Sequence, residues 1–442
     1  MLHELLLARR NSIIIGGICR QQTCGVTCER FMATANSLVD GIWPDVEHLF
    51  PSRAAHEIAD LAAAADRDGQ MSGRGLEVLR RIGWPGLAVP KTFGGLGASF
   101  RECLAVQRKL GAADPGLAIA CAMHLASVGA WVEHHARQAD MTWTFMEAVA
   151  TQGLIVAAAM AEPNLGGAIN RSTLRARRVA TGWEVSGRKS PLSFAACADL
   201  IALQFQSEAT ADEPSKMLAA LVPRKLPGLS AESTWDTMGM RGAGADTLVL
   251  DRCVIPDPLV VYQGIPGDSH YDDMAAGIIW FCLVLTASYL GVAEAALAVT
   301  RDLLGRVRIE HLDASRSELP SFQSAVGQQI GALLTLELAC SALATSMDRK
   351  ESPHQFLAPA LAVKQHADEV IPELLGAFVE SCGGIAYSRL SPLERFWRDA
   401  QAIRFHPPTP RPVVQFLGRR ALGVNATLDL DEVSPSLRSE RP

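Results

Sequence analysis

An α+β chain is predicted, with an N-terminal α-helical domain and a C-terminal four-helix bundle on either side of a middle β-domain, barrel or sheet. Three observations predict it. Apolar residues recur at helical spacing towards both ends of the chain and fall into short runs between them. Gly, Pro and charged turns crowd that same middle stretch. At 442 residues the chain is too long for one hydrophobic core, and strands segregated from helices along a sequence mark the α+β class.

The helical pattern covers 54–67, 75–82, 100–110 and 116–137. Near Leu154 it gives way to β-rich runs at 154–160, 173–179, 183–186, 200–206, 217–222 and 247–254, read as a small antiparallel sheet or barrel. From about Asp272 long helices return at 274–305, 320–348, 355–387 and 410–423, jointed by Pro and Gly. The domains expected are therefore 50–154, 155–270 and 271–425, with an extension over 1–49 and a tail over 426–442. Gly94-Gly95-Leu96-Gly97 follows no strand and opens no helix, so a Rossmann-type dinucleotide fingerprint is unsupported.

Composition narrows the function classes. A net charge of −6 argues against nucleic acid and anionic membrane as partners, because both need clustered Lys and Arg. Small-molecule chemistry is the default that remains. Ten cysteines without a CxxC pair or zinc-type spacing read as reduced thiols in a reducing, cytoplasmic compartment. Residues 1–31 are short of acids, with an apolar run at 13–19 that is too short to span a bilayer; a targeting peptide, a disordered extension and a true start at Met32 all remain open. The uncharged stretch 274–293 is long enough for a span, but Glu294 follows it and no basic flank marks a cytoplasmic side, so it reads as a buried core helix.

Four segments in order resemble the acyl-CoA dehydrogenase family. They are Gly83-Trp84-Pro85-Gly86-Leu87 with Pro90 to Gly95, Ala161-Glu162-Pro163 with Gly166-Gly167, Met238-Gly239-Met240-Arg241-Gly242, and Cys382-Gly383-Gly384 with Pro392 to Ala400. The resemblance covers about residues 50 to 423. It implies FAD bound between the β-domain and the C-terminal bundle, an acyl thioester as substrate, a homodimer or homotetramer, and an electron-acceptor flavoprotein.

The same resemblance implies site residues. Met160 and Ala161 stand in the first flavin loop, Ala161 where a Thr hydroxyl is usual; Ser193 ends the second loop, Gly187 to Ser193, where its hydroxyl would meet the flavin N5 edge, and Pro191 replaces a covering Trp. Arg308 with Gln323 fits the pyrophosphate contact, with Arg306 an equal rival; Gly383, Gly384 and Thr409 fit the dinucleotide approach, and Glu380 stands where a Gln is common. Gly167 takes the place of the Ser that meets the thioester, with Ala168 after it, and Arg241 suits a phosphate near the entrance.

The base is missing. A dehydrogenase of this kind removes an α proton with a Glu carboxylate while hydride leaves for the flavin. The two positions at which family members carry that Glu are Pro407 and Phe281 here, and neither is acidic. His406 and His124 are the candidate replacements, since imidazole titrates near neutrality. The expected function is an FAD-dependent oxidoreductase acting on the CH–CH group of an acyl-CoA or acyl-carrier-protein thioester. The alternatives are a flavin-dependent monooxygenase of the same fold, fed by a flavin reductase, and a non-catalytic flavin-binding subunit.

Overall fold

Helix starts in the N-terminal domain are written into short capping sequences. Ser72 accepts a bond from the Gly75 amide, Ser99 and Glu102 form a reciprocal capping box, and Asp114 accepts from the Leu117 amide with Pro115 at the first helical position. These caps open α2 (Gly73–Arg81), α3 (Phe100–Ala113) and α4 (Pro115–Arg137); α1 (Ser52–Asp68) precedes them and α5 (Thr142–Gln152) follows. The computed structural model describes residues 41–166, 168, 171–267, 272–349, 352–424, 426 and 428. The readings made for 1–31 and for most of the 426–442 tail lie outside the described residues. Within the expected extension, Ile42, Trp43, Val46, Leu49 and Phe50 are buried. Arg101 on α3 and a serine far along the chain, Ser341, both donate to the Ile42 carbonyl.

Eight strands follow: β1 (Val156–Ala159), β2 (Arg175–Val179), β3 (Gly182–Ser193), β4 (Leu200–Ser207), β5 (Met217–Pro223), β6 (Leu229–Glu232), β7 (Ala245–Pro256) and β8 (Val260–Gly264). They form one open sheet in the order β6-β7-β3-β2-β4-β5-β8, with β1 added to β4. The expected antiparallel sheet or barrel is thus corrected: β1 and β2 both run parallel to β4, because long connections separate each from it. The β3–β7 ladder breaks register between Val185 and Gly187 and again between Lys189 and Leu192. A bulge of this kind re-aims side chains, and the second one carries Ser190 and Pro191.

The C-terminal bundle consists of α6 (Asp272–Arg306), a two-stranded hairpin of β9 (Arg308–Ile309) and β10 (Ala314–Ser315), α7 (Pro320–Asp348), α8 (Pro353–Cys382), α9 (Leu393–Ala400) and α10 (Pro410–Ala421). Among the described residues three helices, α4, α6 and α7, are long and apolar enough to cross a membrane. In α6, which holds the 274–293 stretch, 89% of the apolar window is buried, as expected for a helix wrapped by neighbours. A Cβ on Gly291 would stand 2.0 Å from the Arg108 carbonyl, so glycine lets α6 and α3 touch backbone to backbone. In α7 only 39% of the apolar window is buried.

Candidate active site

The two loops expected to hold a flavin lie side by side. The Ser190 amide donates to the Ala161 carbonyl at 3.0 Å, and the residue before Ser190 pairs with the residue after Ala161, Lys189 Nζ to Glu162, with both side chains fully buried. Glu162 also accepts from the Ser172 hydroxyl, the Thr173 amide and the Thr173 hydroxyl. Burial alone would raise its carboxyl, but Lys189 and these hydroxyl donors outweigh burial and hold it below the usual carboxylate range. Burial brings the Lys189 ammonium down to about 8, against the pull of Glu162. Met160 is 40% exposed at the edge of this platform. Ser193 is buried, and no partner takes its hydroxyl among the described residues. Phe194, next along, has φ 64°, a left-handed conformation costly for a bulky side chain.

A second constellation forms on the bundle side, around the short 3-10 turn Gln401–Phe405. Lys364 on α8 is fully buried, and its ammonium donates to Asp368 at 2.8 Å, to the His406 carbonyl at 2.9 Å and to the Ile403 carbonyl at 3.3 Å. The Ile403 carbonyl also accepts from the His406 amide at 3.4 Å, so the ammonium closes on the C-terminal end of the turn. The ring of His406 meets Tyr289 of α6, Nε2 to Oη at 3.1 Å. Burial, then the Lys364 charge, push the His406 imidazole down to about 3, so it is neutral at physiological pH. No partner takes Nδ1 among the described residues. Pro407 and Thr409 are partly buried beside it.

His124 is placed differently. On α4 it is fully buried; Nε2 lies 2.9 Å from the Pro85 carbonyl and Nδ1 accepts from the Val156 amide at 3.0 Å. Both nitrogens are therefore engaged with backbone, and burial lowers the ring to about 4 despite the Pro85 bond. The expectation that His124 supplies a base is corrected on that ground: it joins β1 to the loop before α3 and has no nitrogen left for a substrate.

Other expected contacts are redistributed. Arg308 is exposed and folds back on Asp313 across the β9–β10 hairpin, and Gln323 donates to the Ser317 carbonyl at 3.0 Å. Arg306 pairs with Asp302 on its own helix. The arginine that reaches Gly383 is Arg316, which sequence reasoning missed. Its Nη1 donates to the Ser381 and Cys382 carbonyls at 3.1 and 2.6 Å, its Nε is buried without a partner, and its guanidinium lies over Phe322. Gly384 and Glu380 are exposed at the same end of α8. Arg241 does not stand free at an entrance: its Nε donates to the Asp66 carbonyl at 2.9 Å and Nη1 lies near Asp236 and the Thr237 carbonyl. Gly167 lies outside the described residues.

Two of the matched segments prove to be a junction. Arg398 forks onto Asp66 of α1 at 3.1 and 2.8 Å and donates to the Met238 carbonyl, while Asp399 accepts from the Met240 amide at 2.5 Å. Burial raises the Asp399 carboxyl to about 7, opposed by Arg395. A Cβ on Gly239 would stand 2.2 Å from the Arg398 carbonyl, so only glycine permits this approach. The Met238–Gly242 and Arg398–Asp399 motifs thus tie the three domains together.

The residues present fit a flavin. The bulged, ion-paired platform offers fixed backbone beside the buried, unengaged hydroxyl of Ser193, between Leu192 and Phe194.

Three family models match in the same order: Acyl-CoA dehydrogenase, N-terminal domain, over 50–141, middle domain over 157–253, and C-terminal domain over 283–409. Amino sugar nitrososynthase RubN8 of Streptomyces rubradiris is 30% identical over 402 residues, 86% of this chain and 89% of its own length. Isobutylamine N-hydroxylase of Streptomyces viridifaciens is 27% identical over 340 residues, 75% of this chain and 85% of its own. Among solved structures, KijD3 in complex with FMN and dTDP-3-amino-2,3,6-trideoxy-4-keto-3-methyl-D-glucose matches with a TM-score of 0.77 at 24% identity, covering 90% of this chain and 98% of its own. The chain belongs to the acyl-CoA dehydrogenase family of flavoprotein oxidoreductases.

Proposed function

We propose that this protein is a flavin-dependent monooxygenase that places an oxygen atom on the nitrogen of a small amine. The observation that carries the reading is the exchange at the base position. Where a thioester dehydrogenase needs a carboxylate, this chain has Pro407 and Phe281, and beside Pro407 it holds a neutral imidazole with one unengaged nitrogen. A neutral imidazole is suited to accept an amine N–H and hold the nitrogen lone pair outward. It is ill suited to remove a carbon-bound α proton without the carboxylate. Two relatives over most of the chain, the nitrososynthase and the N-hydroxylase, are named for nitrogen oxidation.

Bound reduced flavin would supply two electrons to O2, so that one oxygen atom enters the amine and the other leaves as water. The protein's part is to seat the ring on the 160–163 and 189–193 loops, offer the Ser193 hydroxyl at its edge and orient the amine through His406. FMN, the flavin named with KijD3, is favoured over the expected FAD. Arg308 and Gln323 are turned to intrachain partners, and an exposed Glu380 would oppose a pyrophosphate. Reduced flavin would then come from a separate reductase. The half-bare apolar face of α7, with Leu338 55% exposed, supports the homo-oligomer expected from the resemblance.

The test supplies FMN, NADH, a flavin reductase and 18O2 to the purified protein with isobutylamine and with an amino sugar nucleotide. The reading expects a hydroxylamine or nitroso product carrying one labelled oxygen, dependent on the protein. Unlabelled amine and uncoupled peroxide alone would contradict it.

A further inference from the structure

The reading of His406 as the amine acceptor leaves one fully buried cation unexplained. A lysine in a bundle core is costly, and Asp368 one turn on would pair with it on an exposed face just as well. Yet Lys364 reaches past its partner to the Ile403 and His406 carbonyls. Those two bonds fix the turn on which the imidazole is mounted. The ring itself is fixed from α6 by Tyr289. The charged and titratable groups around it are few: Lys364 and Asp368 on α8, Tyr289 and Cys282 on α6, Arg404, whose Nε donates to the Asp368 carbonyl, and Asp399, which acts on Tyr289 from α9. Of these, Lys364 is the one whose charge bears on His406. Asp368 keeps one carboxyl oxygen without a partner, so it answers the lysine only in part.

We propose that Lys364 is a positioning residue acting through His406: its ammonium clamps the turn that carries the histidine and keeps the imidazole an uncharged acceptor for the substrate's N–H. In that arrangement Nε2–H donates to Tyr289 Oη and the lone pair sits on Nδ1. Substrate is thereby taken as the neutral amine, since an ammonium offers no lone pair for oxygenation and would meet a nearby fixed cation. The inference rests on the amine reading for its purpose, but its physical content is a coupling between two side chains that can be measured without substrate.

The experiment labels the full-length protein with 13C,15N-histidine and follows the His406 resonance, assigned by its loss in His406→Asn, from about pH 8 to about pH 4. Wild type is expected to show the neutral Nε2–H tautomer, with at most about a tenth of the ring protonated at the acid end of that window. Lys364→Met should raise the proton affinity of His406 at least about tenfold, so that about half of the ring is protonated at the acid end of the window, and Lys364→Arg should restore the wild-type trace. In amine turnover the acid limb of kcat/KM should move to higher pH in Lys364→Met, an effect that simple loosening would not give. If folded Lys364→Met titrates as wild type does, the proposal is overturned. Should that variant fail to fold, Asp368→Asn decides: with the cation unanswered His406 must stay untitrated, and its titration inside the window would overturn the coupling. A normal histidine result with no amine oxidation would instead count against the function proposed above and leave the coupling standing.

Discussion

Two lysines are fully buried among the described residues, and each is paired with an acid, yet the two regions use the pair differently. On the β-side, Glu162 is saturated with donors and its carboxyl is held low. The pair is closed, and its effect is to weld two loops into a platform. On the bundle side Asp368 keeps an oxygen without a partner, and burial lifts its carboxyl to about 6 against Lys364. There the ammonium has donors left over, and they hold the turn that carries His406. A satisfied buried ion pair makes a scaffold; an incompletely answered one leaves charge that can act on a neighbour.

That difference predicts unequal costs. Lys189→Met strands an ionised Glu162 and should cost about 3–5 kcal/mol, read as a fall in the urea midpoint, with flavin binding lost. Glu162→Leu added to it should recover most of the stability. Lys364→Met should cost less at neutral pH, because Asp368 can take up a proton and dispose of its own charge. Equal losses for the two lysines would break the comparison.

The junction between the regions comes next in size. Gly239→Ala forces a Cβ against the Arg398 carbonyl and should cost about 1–3 kcal/mol, with limited proteolysis newly cutting near Met238. Acid should act through the two neutral histidines. Their folded values, about 4 for His124 and about 3 for His406, lie below the ordinary 6.5. The unfolded chain therefore binds more protons, and stability present above pH 6.5 is lost as pH falls towards those values. His124→Gln should flatten that acid limb in a series of urea melts. The smallest effects separate the arginines: Arg316→Ala should weaken FMN binding about tenfold, roughly 1.4 kcal/mol. Arg308→Ala should leave FMN affinity alone and shift stability by less than about 0.5 kcal/mol.

The sequence carried the long elements well because their signals are local. Helix α7 matches the expected 320–348, and the expected 355–387 closes early, at Cys382, where Gly383 takes φ 70°. Short edge strands β6 and β8 went unread, since four or five residues show too little alternation. Helix α5 went unread because no side chain caps its start and only Met146 and Val149 are buried. At the site, the family resemblance implied that the usual carboxylate is missing at Pro407 and Phe281, but not how the two candidate histidines are held. That depended on tertiary partners: the Val156 amide engages one candidate, while Tyr289 and Lys364 hold the other. Arg316 was hidden for a related reason. The β9–β10 hairpin folds the chain back, so the residue opposite Gly383 is not the one that linear spacing suggests.

The central claim is that this member of the family has left thioester dehydrogenation for oxygen chemistry. Anaerobic mixing of the FMN- or FAD-loaded protein with saturated acyl-CoA thioesters of graded length, followed at the visible flavin band, tests it most directly. The account predicts a yellow, unbleached flavin with every thioester. Bleaching by any of them, with release of the enoyl thioester, would contradict it.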